Sequence, residues 1–281
     1  MNPVLGRRPR ILAATTAAAG LLLVAGCSSG GGGGKTTASG GVPLVKAGQL
    51  TTCTHLPYPP FQSEIDGTVQ GFDVSLIDLV AKDLGVKQDI VDTPFENFKT
   101  GAFLNSEQCD LAAAGMTITP ERAKNVDFSD PYFDATQAVL VDKKSGIGSF
   151  ADLKGKKVGA QAQTTGEEYA KSKGLDPVSF ESSDAVLNGL RTGQVQAVVI
   201  DYPVVQGWLK DKANADGFKV VDNLNTGEQY GFTVKKGNTK LVAAINKAIK
   251  DAKADGTYKK LYEKWIGPYD AAAASASPSA S

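Results

Sequence analysis

Histidine is nearly absent: His55 is the only one in 281 residues. A histidine-based metal centre or a Ser-His-Asp triad would have to be built around that single ring, and the chain carries no HExxH and no GxSxG pattern. Cysteine is scarce too, with three, and no Cys/His cluster has the spacing of a zinc site. No metal and no cofactor is therefore expected. Net charge is also lacking. Thirty basic residues balance thirty acidic ones, the lysines are scattered among acids, and no basic stripe stands out, which argues against a nucleic-acid partner. No glycine-rich phosphate loop lies between a strand and a helix.

A run long enough to cross a membrane is missing as well. Ile11 to Ala25 has fifteen apolar or small residues, short of the ~20 that a spanning helix needs. Arg7, Arg8 and Arg10 precede it without an acid, and VAGC follows, placing Cys27 after two small residues. A basic start, a short apolar run and a small-residue cleavage site describe an export signal over residues 1–26. VAGC resembles a bacterial lipobox, which implies lipidation at Cys27 and a lipid anchor on the extracytoplasmic face of the cell membrane. Residues 27–41 are rich in Ser, Gly and Thr and read as a flexible tether, and residues 271–281 read as a disordered tail. GGGGGKT imitates a nucleotide-binding loop but lies in that tether. Without residues 1–26, 27 basic residues face 30 acidic ones, a balance of −3. Cys53 and Cys109 then either pair, as export allows, or stay as two small buried hydrophobes.

What remains is roughly 230 residues, more naturally two domains than one. The patterns alternate. Gln49 to Cys53, Ile90-Val91 and Asp110 to Ala114 look like strands, and Phe72 to Leu84 has helical spacing up to Gly85. From Val141 onward come a strand at 157–160, helices at 167–173 and 183–190, and a buried strand Ala197 to Ile200 ending in Asp201. Short strands at 218–221 and 230–234 precede helices at 240–254 and 258–265. This is βαβ grammar, an α/β fold.

The polar residues at strand ends are the candidates for chemistry, since ligands of open α/β sheets sit at the carboxyl ends of strands. Asp201 and the pair Thr164-Thr165 sit there, yet each also suits a helix N-cap. Arg122 is either a surface charge or a fork for a planar carboxylate. Tyr58, Phe61 and Phe95 are either core or an apolar wall. No pair of acids is isolated as catalytic equipment, so enzyme activity is not expected.

Four blocks, in order, carry a resemblance: GFDVSLIDLVAKDLGV at 71–86, AAAGMTITPERAKNVDFSDPYF at 112–133, TTGEEY at 164–169 and DYPVV at 201–205. The chain resembles the polar amino-acid-binding proteins of bacterial ABC importers, extracellular solute-binding protein family 3, over roughly Val45 to Pro268. The resemblance implies a type II periplasmic-binding-protein-like fold, two lobes joined by a two-stranded hinge. Lobe one would combine 42–138 with 231–270, lobe two would be 139–230, and the chain would cross near Gln137–Leu140 and Gln229–Phe232. It implies that Arg122 grips the ligand α-carboxylate, with donors from Thr164 and Thr165, that the Thr117 hydroxyl faces the ligand, and that Asp201 and the Gly115 carbonyl hold the α-ammonium group. Tyr58 and Phe95 would sandwich the ligand side chain. His55 stands where several basic-amino-acid or glutamine binders have an acid, which points away from Lys or Arg and toward Asn or Gln, then Glu. Gln163 replaces the usual glycine ahead of the threonine pair. The implied partners are a free amino acid, permease and ATPase subunits, the protein acting as a monomer. A sensory lipoprotein and a dehydratase-like enzyme on the same scaffold are the alternatives.

Overall fold

The structure is a computed structural model that describes residues 36–270. The expected export signal, Cys27, the first part of the tether and the tail 271–281 lie outside those residues.

Helix Phe72–Leu84 shows how the sequence folds locally. It buries Phe72, Leu76, Ile77, Val80 and Leu84 along one face. Fully burying each such side chain contributes about 1.5–3 kcal/mol relative to exposure. Gly85 ends the helix at φ +72°, and the Val86 N–H turns back to the Ala81 carbonyl at 2.9 Å. That left-handed stop suits glycine, which has no β-carbon to clash.

Two five-stranded sheets, each faced by helices, make two lobes. In spatial order the first runs Lys87–Asp92, Gln49–Thr54, Leu111–Ala112, Thr233–Lys235 and Val126–Phe128. The second runs Val178–Phe180, Val158–Gln161, Ala197–Asp201, Phe133–Asp142 and Phe218–Tyr230. In each, the first three strands are parallel and the fourth runs against them. Ala197–Asp201 is buried throughout, as a strand covered on both faces must be.

Two long strands join the lobes. Phe133–Asp142 and Phe218–Tyr230 pair antiparallel, with Phe133 opposite Tyr230 and Asp142 opposite Phe218. Where separate strands at 218–221 and 230–234 were expected, one thirteen-residue strand carries the chain back. Its middle, DNLNTGEQ, is polar because it is only half covered, so no apolar run announces it. Gln137 to Val141 already pairs with Asp201 to Ala197 in the second sheet, so the first passage lies ahead of Gln137.

Two further points concern the ends and the cysteines. Residues 36–41, expected as the end of a tether, are ordered: Thr36–Thr37 pairs with Pro43–Leu44, and Ser39–Gly41 forms a 3-10 turn. Burial of Val42 and Leu44 pins this segment down. Cys53 and Cys109 form a disulfide with Cα atoms 5.7 Å apart, which decides between the two open readings.

Candidate functional site

The loops leaving the parallel strands of both sheets meet where the lobes face each other. From the first lobe, Leu111–Ala112 leads through Gly115 and Thr117 to Arg122 at the start of the turn Arg122–Lys124. The Arg122 side chain is buried. Its Nη1 donates to the Thr117 carbonyl at 2.9 Å, and its Nη2 crosses to the Gln163 carbonyl of the second lobe at 3.1 Å. Burial lowers the guanidinium pKa, while Glu168, Asp201 and Glu228 oppose that shift. Arg122 is therefore no surface charge.

Gln163 accepts this bond from an unusual backbone, φ +65°, in the left-handed region where glycine is usual. Its N–H donates to Glu167 Oε2 at 3.1 Å. The threonine pair that follows divides its work. The Thr164 hydroxyl caps helix Thr165–Ser172, accepting from the Glu167 N–H at 3.2 Å and donating to the Gln161 carbonyl at 2.7 Å. The Thr165 hydroxyl points across the interface, 3.3 Å from that of Thr117 and 3.4 Å from Gln137 Nε2.

Asp201 ends its strand in the other half of the site. It occupies the N-cap position of helix Tyr202–Trp208 but makes no capping bond. Its Oδ2 accepts from the Tyr58 hydroxyl at 2.6 Å and from the Tyr230 hydroxyl, and its Oδ1 accepts from the Gln137 amide. Burial raises its pKa, and the bonds from Tyr230, Tyr58 and Gln137, with the Arg122 charge, pull it back. Tyr58 thus brings a phenol to Asp201 from the opposite lobe.

Gly115 is required by space. At φ +56°, a β-carbon would stand 2.9 Å from Tyr58 Cε1 and 3.3 Å from Tyr230 Cε2. Its N–H donates to Asp73 Oδ2 at 2.9 Å, and the Tyr132 hydroxyl donates to Asp73 Oδ1 at 2.6 Å. Burial pushes the Asp73 carboxyl up to about 6 against those two bonds.

His55 and Phe95 lie together but apart from this cluster. His55 Nδ1 donates to the Thr93 carbonyl at 3.0 Å, and its ring centroid is 6.0 Å from that of Phe95, which stacks on Phe98 at 5.5 Å. Among the described residues neither bonds to Arg122 or Asp201. Three residues escaped sequence reasoning: Gln137, Glu228 and Tyr230. All lie on the two connecting strands, where no motif marks them, though an acid two residues before a tyrosine in a strand shares its face.

Comparison with known proteins decides the family. The model for bacterial extracellular solute-binding proteins, family 3, matches residues 50–268. The chain belongs to that family. A putative ABC transporter arginine-binding protein of Escherichia coli is 36% identical to this solute-binding protein over 218 residues, 76% of this chain and 88% of the relative. The ABC transporter glutamine-binding protein of Bacillus subtilis is 35% identical over 204 residues, 71% of this chain and 74% of the relative. A solved structure of an ancestral arginine-binding protein bound to glutamine superposes with a TM-score of 0.73 at 42% identity, covering 79% of this chain and 99% of that one. Membership places the solute-binding protein outside the cytoplasm, where a disulfide persists. Among the described residues of the solute-binding protein, no group of His, Cys, Asp or Glu is placed to hold a metal ion. No described helix is long and apolar enough to cross a membrane.

Proposed function

We propose that this protein is a lipid-anchored receptor that closes its two lobes on a free polar L-amino acid and delivers it to an ABC permease. The reading rests on one observation: a buried guanidinium, Arg122, and a buried carboxylate, Asp201, belong to opposite lobes and face one interface. An amino acid carries one charge of each sign, and burying it requires a fixed opposite charge and hydrogen bonds for each. Arg122, Thr117 and Thr165 would hold the carboxylate; Asp201 and the Gly115 carbonyl would hold the ammonium group. Tyr58, Phe95 and His55 would border the side chain, and His55 favours an amide, glutamine or asparagine, over lysine or arginine. Thr164 supports the carboxylate site as the cap of the helix that presents Thr165. No covalent step is involved; ATPase subunits of the importer would supply the energy. The protein acts as a monomer, held to the membrane through Cys27.

The test is calorimetric titration of refolded residues 28–281 with the twenty amino acids. One tight ligand at one-to-one stoichiometry is expected. Silence across the panel overturns the receptor reading, and arginine or lysine as tightest ligand overturns the role of His55 alone. A Cys27→Ala variant that stays in the membrane fraction would overturn the anchor.

A further inference from the structure

Glu228 lies on the return strand Phe218–Tyr230, just past an irregularity in its pairing between Leu224 and Glu228. Such irregularities re-aim side chains near functional sites. Two residues before Tyr230, it shares that residue's face, toward Asp201. Gln137 Nε2 donates to Glu228 Oε2 at 2.8 Å and also to Asp201 Oδ1, so one amide nitrogen spans a half-buried and a buried carboxylate. The carbonyl end of the same amide has no hydrogen-bond partner, and a β-carbon on Gly166 would stand 2.7 Å from it.

Counting acceptors exposes a shortage. A ligand ammonium group has three N–H donors, and each needs an acceptor once buried. Asp201 Oδ2 already receives the Tyr58 and Tyr230 hydroxyls, and Oδ1 receives Gln137. With two lone pairs per oxygen, Asp201 has room for about one further bond. The Gly115 carbonyl offers a second. The third acceptor comes from a hydroxyl, Thr117 or Thr165, or from Glu228, and of these Glu228 alone brings a negative charge to meet the ammonium group.

We propose that Glu228 is a second carboxylate for the ligand's α-ammonium group, sharing it with Asp201 and releasing a proton as an amino acid binds. The inference rests on the receptor reading. The charged and titratable groups around Glu228 are Asp201, two strands away across Phe133–Asp142, Arg122 and Tyr58 from the first lobe, and Tyr230 on its own strand; Gln137 and the Thr165 hydroxyl bond it without charge. Burial, then the Asp201 charge, pushes the Glu228 carboxyl up to about 7, while Gln137, Thr165 and Arg122 oppose this. A neighbouring ammonium group favours the ionised form and lowers that pKa. Binding below about pH 7 therefore expels a proton, and affinity rises with pH until Glu228 is ionised without ligand.

The experiment titrates the refolded protein with L-glutamine and L-arginine from pH 5.5 to 8.5, in paired buffers of different ionisation enthalpy that report proton release. For whichever probe binds, the wild type is expected to tighten as pH rises toward 7, with a fraction of a proton released at pH 6.5. Glu228→Gln is expected to flatten that dependence and bind about tenfold or more weakly at pH 8. A pH-independent Kd, proton uptake, or a pH dependence that survives in E228Q and so belongs to another group overturns the assignment. The proton count needs only the wild type, so it decides even if the variant folds poorly. Failure of both probes and of all other amino acids to bind at any pH overturns the receptor reading with it, a distinct outcome from pH-independent binding.

Discussion

Arg122 and Asp201 carry opposite charges under different constraints. Arg122 spends its donors on two backbone carbonyls, one from each lobe, so its geometry is set by the chain and not by another ion. Asp201 is instead held by three side chains. Replacing Arg122 with alanine removes the cation that meets a bound carboxylate in the proposed arrangement. The cost expected for truncating a buried charge partner is about 2–5 kcal/mol of binding, read as a Kd raised at least ~30-fold by titration. Asp201→Ala should cost a similar amount and also leave the Tyr58 and Tyr230 hydroxyls without their shared acceptor. Unchanged micromolar or tighter binding by either variant would remove that residue from the clamp.

Among elements, helix Thr165–Ser172 separates two roles that the sequence leaves merged. Thr164→Ala deletes the cap and is expected to cost about 1 kcal/mol of stability in denaturant unfolding. Thr165→Ala leaves the cap intact and should lower ligand affinity with little change in unfolding. Equal loss of stability in the two variants would contradict the division. The helices were legible because their apolar spacing is local: Phe72, Leu76 and Val80 announce one face without help from the rest of the chain. Asp201 could be singled out by residue type and strand-end position, whereas Arg122 was marked only by the block at 112–133 that resembles the family. Gln137, Glu228 and Tyr230 could not, because their meaning comes from strands paired across long separations. The pairing of Asp201 with Gln137 spans 64 residues, and neither partner sits in a local pattern that predicts the other. The order of residues 36–41 was hidden for the same reason, since a Ser/Gly/Thr composition says nothing about Val42 and Leu44 docking just beyond it.

At the scale of the molecule, closure has to bring the lobes together without welding them. Several described contacts cross between the lobes: Arg122 to Gln163, Thr117 to Thr165, Tyr58 to Asp201, the Ser183 hydroxyl to the Pro57 carbonyl at 2.7 Å, and Lys99 to Glu168 at 3.1 Å. These bonds are polar and the exposed ion pair is worth little, so the packing within each lobe supplies the rigidity against which a hinge works. The disulfide belongs to that first-lobe rigidity. It ties Gln49–Thr54 to the turn before Leu111–Ala112, two adjacent parallel strands whose outgoing loops carry Tyr58 and Gly115. The crosslink closes 56 residues of chain, and its removal should cost about 4 kcal/mol on chain-entropy grounds. For a protein of this size that corresponds to a fall in Tm on the order of 10 °C. Scanning calorimetry of Cys53→Ala/Cys109→Ala checks it. Because the tie lies within one lobe and away from the connecting strands, the same variant should keep its ligand affinity within about threefold at 25 °C. A large loss of affinity with little change in Tm would mean that the disulfide shapes the site rather than the lobe.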